Sequence, residues 1–174
     1  MKLVIQSVLM RWTQFKEHRQ LKQGEYIEWQ RSLDTQVSKS LVFVSHRWII
    51  PNHPDHHGDQ LRELQSRLGV LCDKDATYKN ALIFYDYCSL FQRPRTSDEE
   101  VEFYRDLGTL ENLSRRSDKF IILSEGYTDY KNRAWCFFEV VNARRDNIYY
   151  FGDQSQISDD VGFFAIVLGI RNFR

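Results

Sequence analysis

Four short apolar runs, each separated from the next by a stretch with helical periodicity, constrain this chain more than any other feature. They read SLVFVSHRW (40–48), ALIFYDYCSL (81–90), FIILS (120–124) and NIYYFGD (147–153). Runs that are apolar at consecutive positions, and rich in β-branched and aromatic residues, are strands covered on both faces. Between them, Leu61, Leu64, Leu68 and Leu71 form an apolar stripe behind Asp59, which has the chemistry of an N-cap. Val101, Tyr104, Leu107, Leu110 and Leu113 recur behind Ser97 and Glu100, a capping-box pair. A third helix covers NRAWCFFEVVNARR (132–145). Strands alternating with helices require crossover connections and a parallel sheet. The fold class predicted is α/β, a flavodoxin-like three-layer fold with about five parallel strands in the order 2-1-3-4-5. The segment 159–174 supplies a last helix and a short fifth strand.

Residues 1–39 carry no strand signal. Val4, Ile5, Val8, Leu9 and Trp12 predict an amphipathic helix from residue 2 to about 20, with a polar helix over 24–38. This N-terminal helical extension to a main domain at 40–174 has three uses open to it: packing on that domain, an oligomer contact, or a membrane surface. Equal numbers of Lys plus Arg and Asp plus Glu, 24 each, argue against a nucleic-acid partner held by a basic face. Three cysteines without a CxxC pair fit a reducing cytoplasm rather than a disulfide framework or a structural zinc. No apolar run reaches the length of a membrane span. LVIQSVLM, near the start, is too short for a signal peptide and lacks a cleavage site.

In open α/β sheets, ligands bind beyond the carboxyl ends of the strands, near the point where strand order reverses. That rim collects Ser45, His46, Arg47 and Trp48 after the first strand, Asp86, Cys88 and Ser89 from the second, and Ser124 after the third. Arg47 is the best phosphate partner among them. Trp135 and Glu139, four residues apart, share a helix face that borders the same crevice, while Phe137, Phe138 and Val141 anchor the helix on the sheet. The plain alternatives are a solvated Glu139, a core Trp135 and an Asp86 that caps a turn. His53, Asp55, His56, His57 and Asp59 are metal-ligand types, but they lie in a Pro-rich loop without helical HExxH spacing, and no metal is expected. There is no G-x-S-x-G, no G-x-G-x-x-G and no Walker loop.

Three segments resemble the Toll/interleukin-1 receptor (TIR) domain family. LVFVSHRW is similar to its first strand and FYD, ending at Asp86, to its second. ILSEGYTDYKNRAWCFFEV (122–140) is similar to the plant-type pattern of a strand ending in Leu-Ser, then Tyr, then Trp-Cys and a Glu four residues after the Trp. The loop FQRPRTSDEE lacks the Arg-Asp-x-x-Pro-Gly signature of animal adaptors, which points away from adaptor-type signalling. The resemblance implies an enzymatic TIR domain of the bacterial or plant type, as in antiphage nucleotide signalling. Its catalytic glutamate falls on Glu139. NAD would be a substrate and not a cofactor, cleaved at the nicotinamide–ribose bond to ADP-ribose or a cyclised or conjugated form. The resemblance also implies self-association through TIR surfaces and a separate downstream effector that senses the product. The competing readings are a non-catalytic interaction module and a nucleoside deoxyribosyltransferase-like enzyme, which shares the plan and a glutamate nucleophile.

Overall fold

Burial runs continuously along the three central parallel strands. The computed structural model describes residues 1–30, 39–48, 50, 53–123, 132, 134–144 and 147–149. In chain order the strands are β1 (Lys2–Ile5), β2 (Tyr26–Glu28), β3 (Leu41–His46), β4 (Leu82–Tyr85), β5 (Lys119–Leu123) and β6 (Ile148–Tyr149). The helices are α1 (Gln6–Leu9), α2 (Asp59–Lys74), α3 (Asp86–Ser89), α4 (Ser97–Leu107), α5 (Leu110–Arg116) and α6 (Ala134–Asn142). Among the described residues they build one mixed sheet in the order β2-β1-β4-β3-β5-β6. The four strands β4, β3, β5 and β6 are mutually parallel, with Phe43 opposite Phe84 on one side and Phe120 on the other. Their order agrees with the flavodoxin-like expectation as far as the fourth predicted strand; the expected fifth, in 159–174, lies outside the described residues.

Successive residues of β3 serve opposite layers, as the pleat requires. Phe43 joins Leu41, Phe84, Phe120, Ile122, Leu110, Leu113, Cys136 and Val140 in one core. Val42 and Val44 join Ile83, Ile121 and the leucine stripe of α2 in the other. Helices thus cover both faces of the sheet.

The N-terminal helix is the main correction. Residues 2–5 form a strand, the predicted first helix is reduced to the single turn α1 and a 3-10 turn at His18–Gln20, and residues 26–28 of the predicted polar helix are β2, with helix only at 29–30; residues 31–38 lie outside the described residues. β1 pairs antiparallel with both β2 and β4, so Leu3 and Val4 are fully buried, one in each core. The physical cause is the edge of β4. Its unpaired amides and carbonyls would otherwise face outward, and a β-branched Val4-Ile5 pair satisfies them at the same time as it buries apolar area on both faces.

Smaller corrections follow the same logic. The strand at 81–90 ends at Tyr85 and turns into α3. The run 97–113 breaks at Gly108–Thr109 into α4 and α5, leaving Val101 and Tyr104 exposed. The box at its start is Thr96 with Glu99, one residue earlier than expected: Glu99 N–H donates to the Thr96 hydroxyl, and Thr96 N–H to the Glu99 carboxylate. Asp59 opens α2 but does not cap it. The N-cap is Gly58, at φ 76, and the buried Asp55 carboxylate accepts from the amides of Gln60 and Leu61 at 3.1 and 2.9 Å. A carboxylate four residues before the helix reaches its free amides from a tighter, better shielded position than Asp59 offers.

Candidate functional site

Glu139 lies in the buried seam of α6, not on its outside. The seam is Cys136, Glu139, Val140 and Ala143, spaced by three, one and three residues, and all are buried. Val141 is buried as expected, but Phe138 is 42% exposed and stacks on Trp135, so it does not hold the helix to the sheet. The side chain of Phe137 lies outside the described residues. The mismatch arises because two adjacent aromatics looked like a seam, while the phase of the helix gives that place to smaller Cys136 and Ala143.

The carboxylate is 4% exposed, which removes the solvated-surface alternative. It sits at the carboxyl end of β3 because Ser45 shares the Phe43 side of the pleat. The Ser45 hydroxyl donates to Glu139 Oε2, and the Ser114 hydroxyl fixes the backbone carbonyl of Glu139 at 3.3 Å. The Trp135 side chain also hydrogen-bonds the carboxylate. Burial pushes the Glu139 pKa up to about 8, and the negative charge of Asp86 adds to the rise; the bonds from Ser45 and Trp135 only partly offset it.

His46 points to the other layer, one residue along the pleat. Its Nε2 meets Asp86 at 2.6 Å, its ring stacks on Tyr85, and its Nδ1 lies 3.2 Å from the Tyr85 hydroxyl. Burial keeps the Tyr85 phenol well above its ordinary pKa, so it stays a donor. It donates to Gln60 Oε1 at 3.0 Å, and Gln60 Nε2 donates to the Arg47 carbonyl at 2.8 Å. Trp48 donates to the second oxygen of Asp86 at 2.9 Å. Burial alone would raise Asp86, but His46, Trp48 and the Tyr87 amide together hold it below its usual value.

The fold therefore gathers Ser45, His46, Trp48, Asp86, Trp135 and Glu139, with Arg47 half-buried between His46 and Trp48. Cys88 and Ser89 are not at the rim. Because the strand ends at Tyr85, α3 turns them inward: both are fully buried, and the Ser89 hydroxyl accepts from the Tyr85 amide at 3.1 Å. Ser124 lies outside the described residues. Tyr85 and Gln60 were missed in the sequence. The available signal for Gln60 was a polar residue one turn before Leu64 of the α2 stripe; for Tyr85 it was a phenol directly after the apolar residues Ala81 to Phe84. Among the described residues no group of three His, Cys, Asp or Glu side chains is arranged to hold a metal ion, and Asp55 is committed to the start of α2. No helix among them is long and apolar enough to cross a membrane. No family model, no curated protein and no solved structure matches the chain.

Proposed function

We propose that the chain is a TIR-like enzyme that cleaves the nicotinamide–ribose bond of NAD, with Glu139 as the catalytic residue. The observation that carries this reading is a single carboxyl group, buried at the carboxyl end of the parallel strands, with its pKa raised to about 8 and held by Ser45 and Trp135. Such a group is neutral in the empty site near pH 7 and becomes charged when a cation is placed beside it. The pyridinium ribose of NAD is a cation of that kind. As the C1′–N bond breaks, its electron pair goes to nicotinamide, which leaves neutral and needs no acid. The positive charge moves to the ribose, where a carboxylate shielded from water stabilises it. Water then adds at C1′ and loses a proton, giving ADP-ribose; an internal nucleophile gives a cyclic form instead. The setting that fits is cytoplasmic, with the product acting as an immune or antiphage signal on a separate effector protein.

The test is nicotinamide release from NAD by the purified protein and by Glu139→Gln. Removal of the charge should lower kcat by about two to four decades. Equal rates for the two proteins would end the catalytic assignment. A second reading, a non-catalytic assembly module, draws on the exposed Trp135–Phe138 pair, whose rings stack 5.7 Å apart on the outside of α6. Under that reading neither protein releases nicotinamide, and Phe138→Glu abolishes self-association.

A further inference from the structure

The His-rich loop has no part in the chemistry above, yet it is built against the site. Trp48, whose indole holds Asp86, meets Tyr87 edge-on at 5.9 Å. Tyr87 meets His53 at 5.1 Å, His53 meets His56 at 6.4 Å, and His56 meets His57 at 5.2 Å, each pair steeply inclined. Trp48, Tyr87 and His53 are half-buried, and His56 and His57 are exposed. Tyr87 rests on the α2-side core, so its ring is supported from beneath. The loop itself is pinned: the Asp55 amide donates to His53 Nδ1 at 3.0 Å, and the Asp55 carboxylate is locked onto the start of α2. The result is a fixed strip of aromatic rings that begins at Asp86 and runs outward.

We propose that Trp48, Tyr87, His53 and His56 form a stacking platform for the adenine half of the dinucleotide. This rests on the NAD reading and names the residues that would set its preference for a dinucleotide over a mononucleotide. Rings set edge to face leave π-faces to a planar base. Stacking asks nothing of the base edges and suits a strip of half-buried and exposed rings. The platform starts at the residue whose charge reaches Glu139, so a ligand on it would have its far end directed to the buried carboxyl.

The experiment measures binding of AMP and of ribose 5-phosphate to the whole protein by calorimetry, alongside kcat/KM for NAD and for nicotinamide mononucleotide. AMP should bind, and ribose 5-phosphate, which lacks the base, should not. Tyr87→Ala and His53→Ala should each weaken AMP by about 5- to 100-fold, with Tyr87→Phe restoring most of it. The ratio of kcat/KM for NAD to that for the mononucleotide should fall by the same factor. His53→Ala, in a surface loop, keeps the test alive if Tyr87→Ala does not fold. Unchanged AMP affinity in a folded variant, or equal binding of ribose 5-phosphate, overturns the platform. NAD cleavage without AMP binding likewise overturns it and leaves the proposed function standing. AMP binding that the variants abolish, without NAD cleavage, supports the platform and sinks the function.

Discussion

A single glutamate carries most of the argument, and its titration gives a prediction that does not depend on turnover. In the unfolded chain Glu139 has an ordinary pKa of 4.5; in the folded chain it is pushed up to about 8. The folded state holds a proton that the unfolded state gives up between those values. The stability that Glu139 permits is therefore complete below about pH 4.5 and is lost as pH rises through about 8, a change on the order of 5 kcal/mol. Glu139→Gln should match wild type in melting temperature near pH 5 and exceed it near pH 9; parallel melting curves at both pH values would mean the carboxyl is not buried as described. For turnover, kcat/KM for NAD should climb with pH and level off above about 8, since the free enzyme must lose that proton. A profile flat from pH 6 to 9 would remove the carboxylate from the reaction. Arg47 offers a separate check. If it pairs with a phosphate in two-pronged fashion, Arg47→Lys should raise KM for NAD several-fold with the fold intact. Wild-type KM and kcat would take Arg47 out of the site.

At the level of elements, α2 and the loop before it form one unit. Asp55 supplies both helix-end acceptors, and Gly58 adopts a left-handed φ of 76 that an added Cβ would strain, 3.1 Å from the Arg62 guanidinium. Gln60, one turn in, carries the link from Tyr85 to the Arg47 carbonyl. Asp55→Ala should thus cost about 1–2 kcal/mol in denaturant melts and loosen the rim loop, through two unsatisfied amides. A loss near zero would show that solvent replaces the carboxylate and that Asp55 is free for another role. α6 makes the opposite point: its place is fixed by Cys136, Val140 and Ala143, small and apolar, which lets the Glu139 backbone approach Ser114.

Across the whole molecule, the N-terminal strands belong to the sheet rather than to an attachment. Leu3, paired with Ile27 of β2, is wholly buried in the core, and Leu3→Ala should cost about 2–5 kcal/mol in a chemical melt. A dispensable extension would lose almost nothing. The parallel core was legible because β3, β4 and β5 each carry a run of consecutive apolar residues (Leu41 to Val44, Leu82 to Phe84, Phe120 to Leu123), a pattern that only a doubly covered strand requires, and the spacing between them admits only crossovers. The Trp135–Glu139 pairing was legible too, since four residues on a helix always share a face. What the sequence could not carry were facts that depend on who lies across the gap. Val4 and Ile5 suit a helix or a strand equally, and the open edge of β4 decides between them. The α6 seam depends on helix phase against the sheet, and so the burial of Glu139 and the exposure of Phe138 were settled only in three dimensions. Ser45 and His46 are neighbours in sequence, yet the pleat sends one to Glu139 and the other to Asp86. Local periodicity fixes an element and its two faces; which face meets which partner is a property of packing, where burial and hydrogen-bond satisfaction are shared among residues 40 to 94 positions apart.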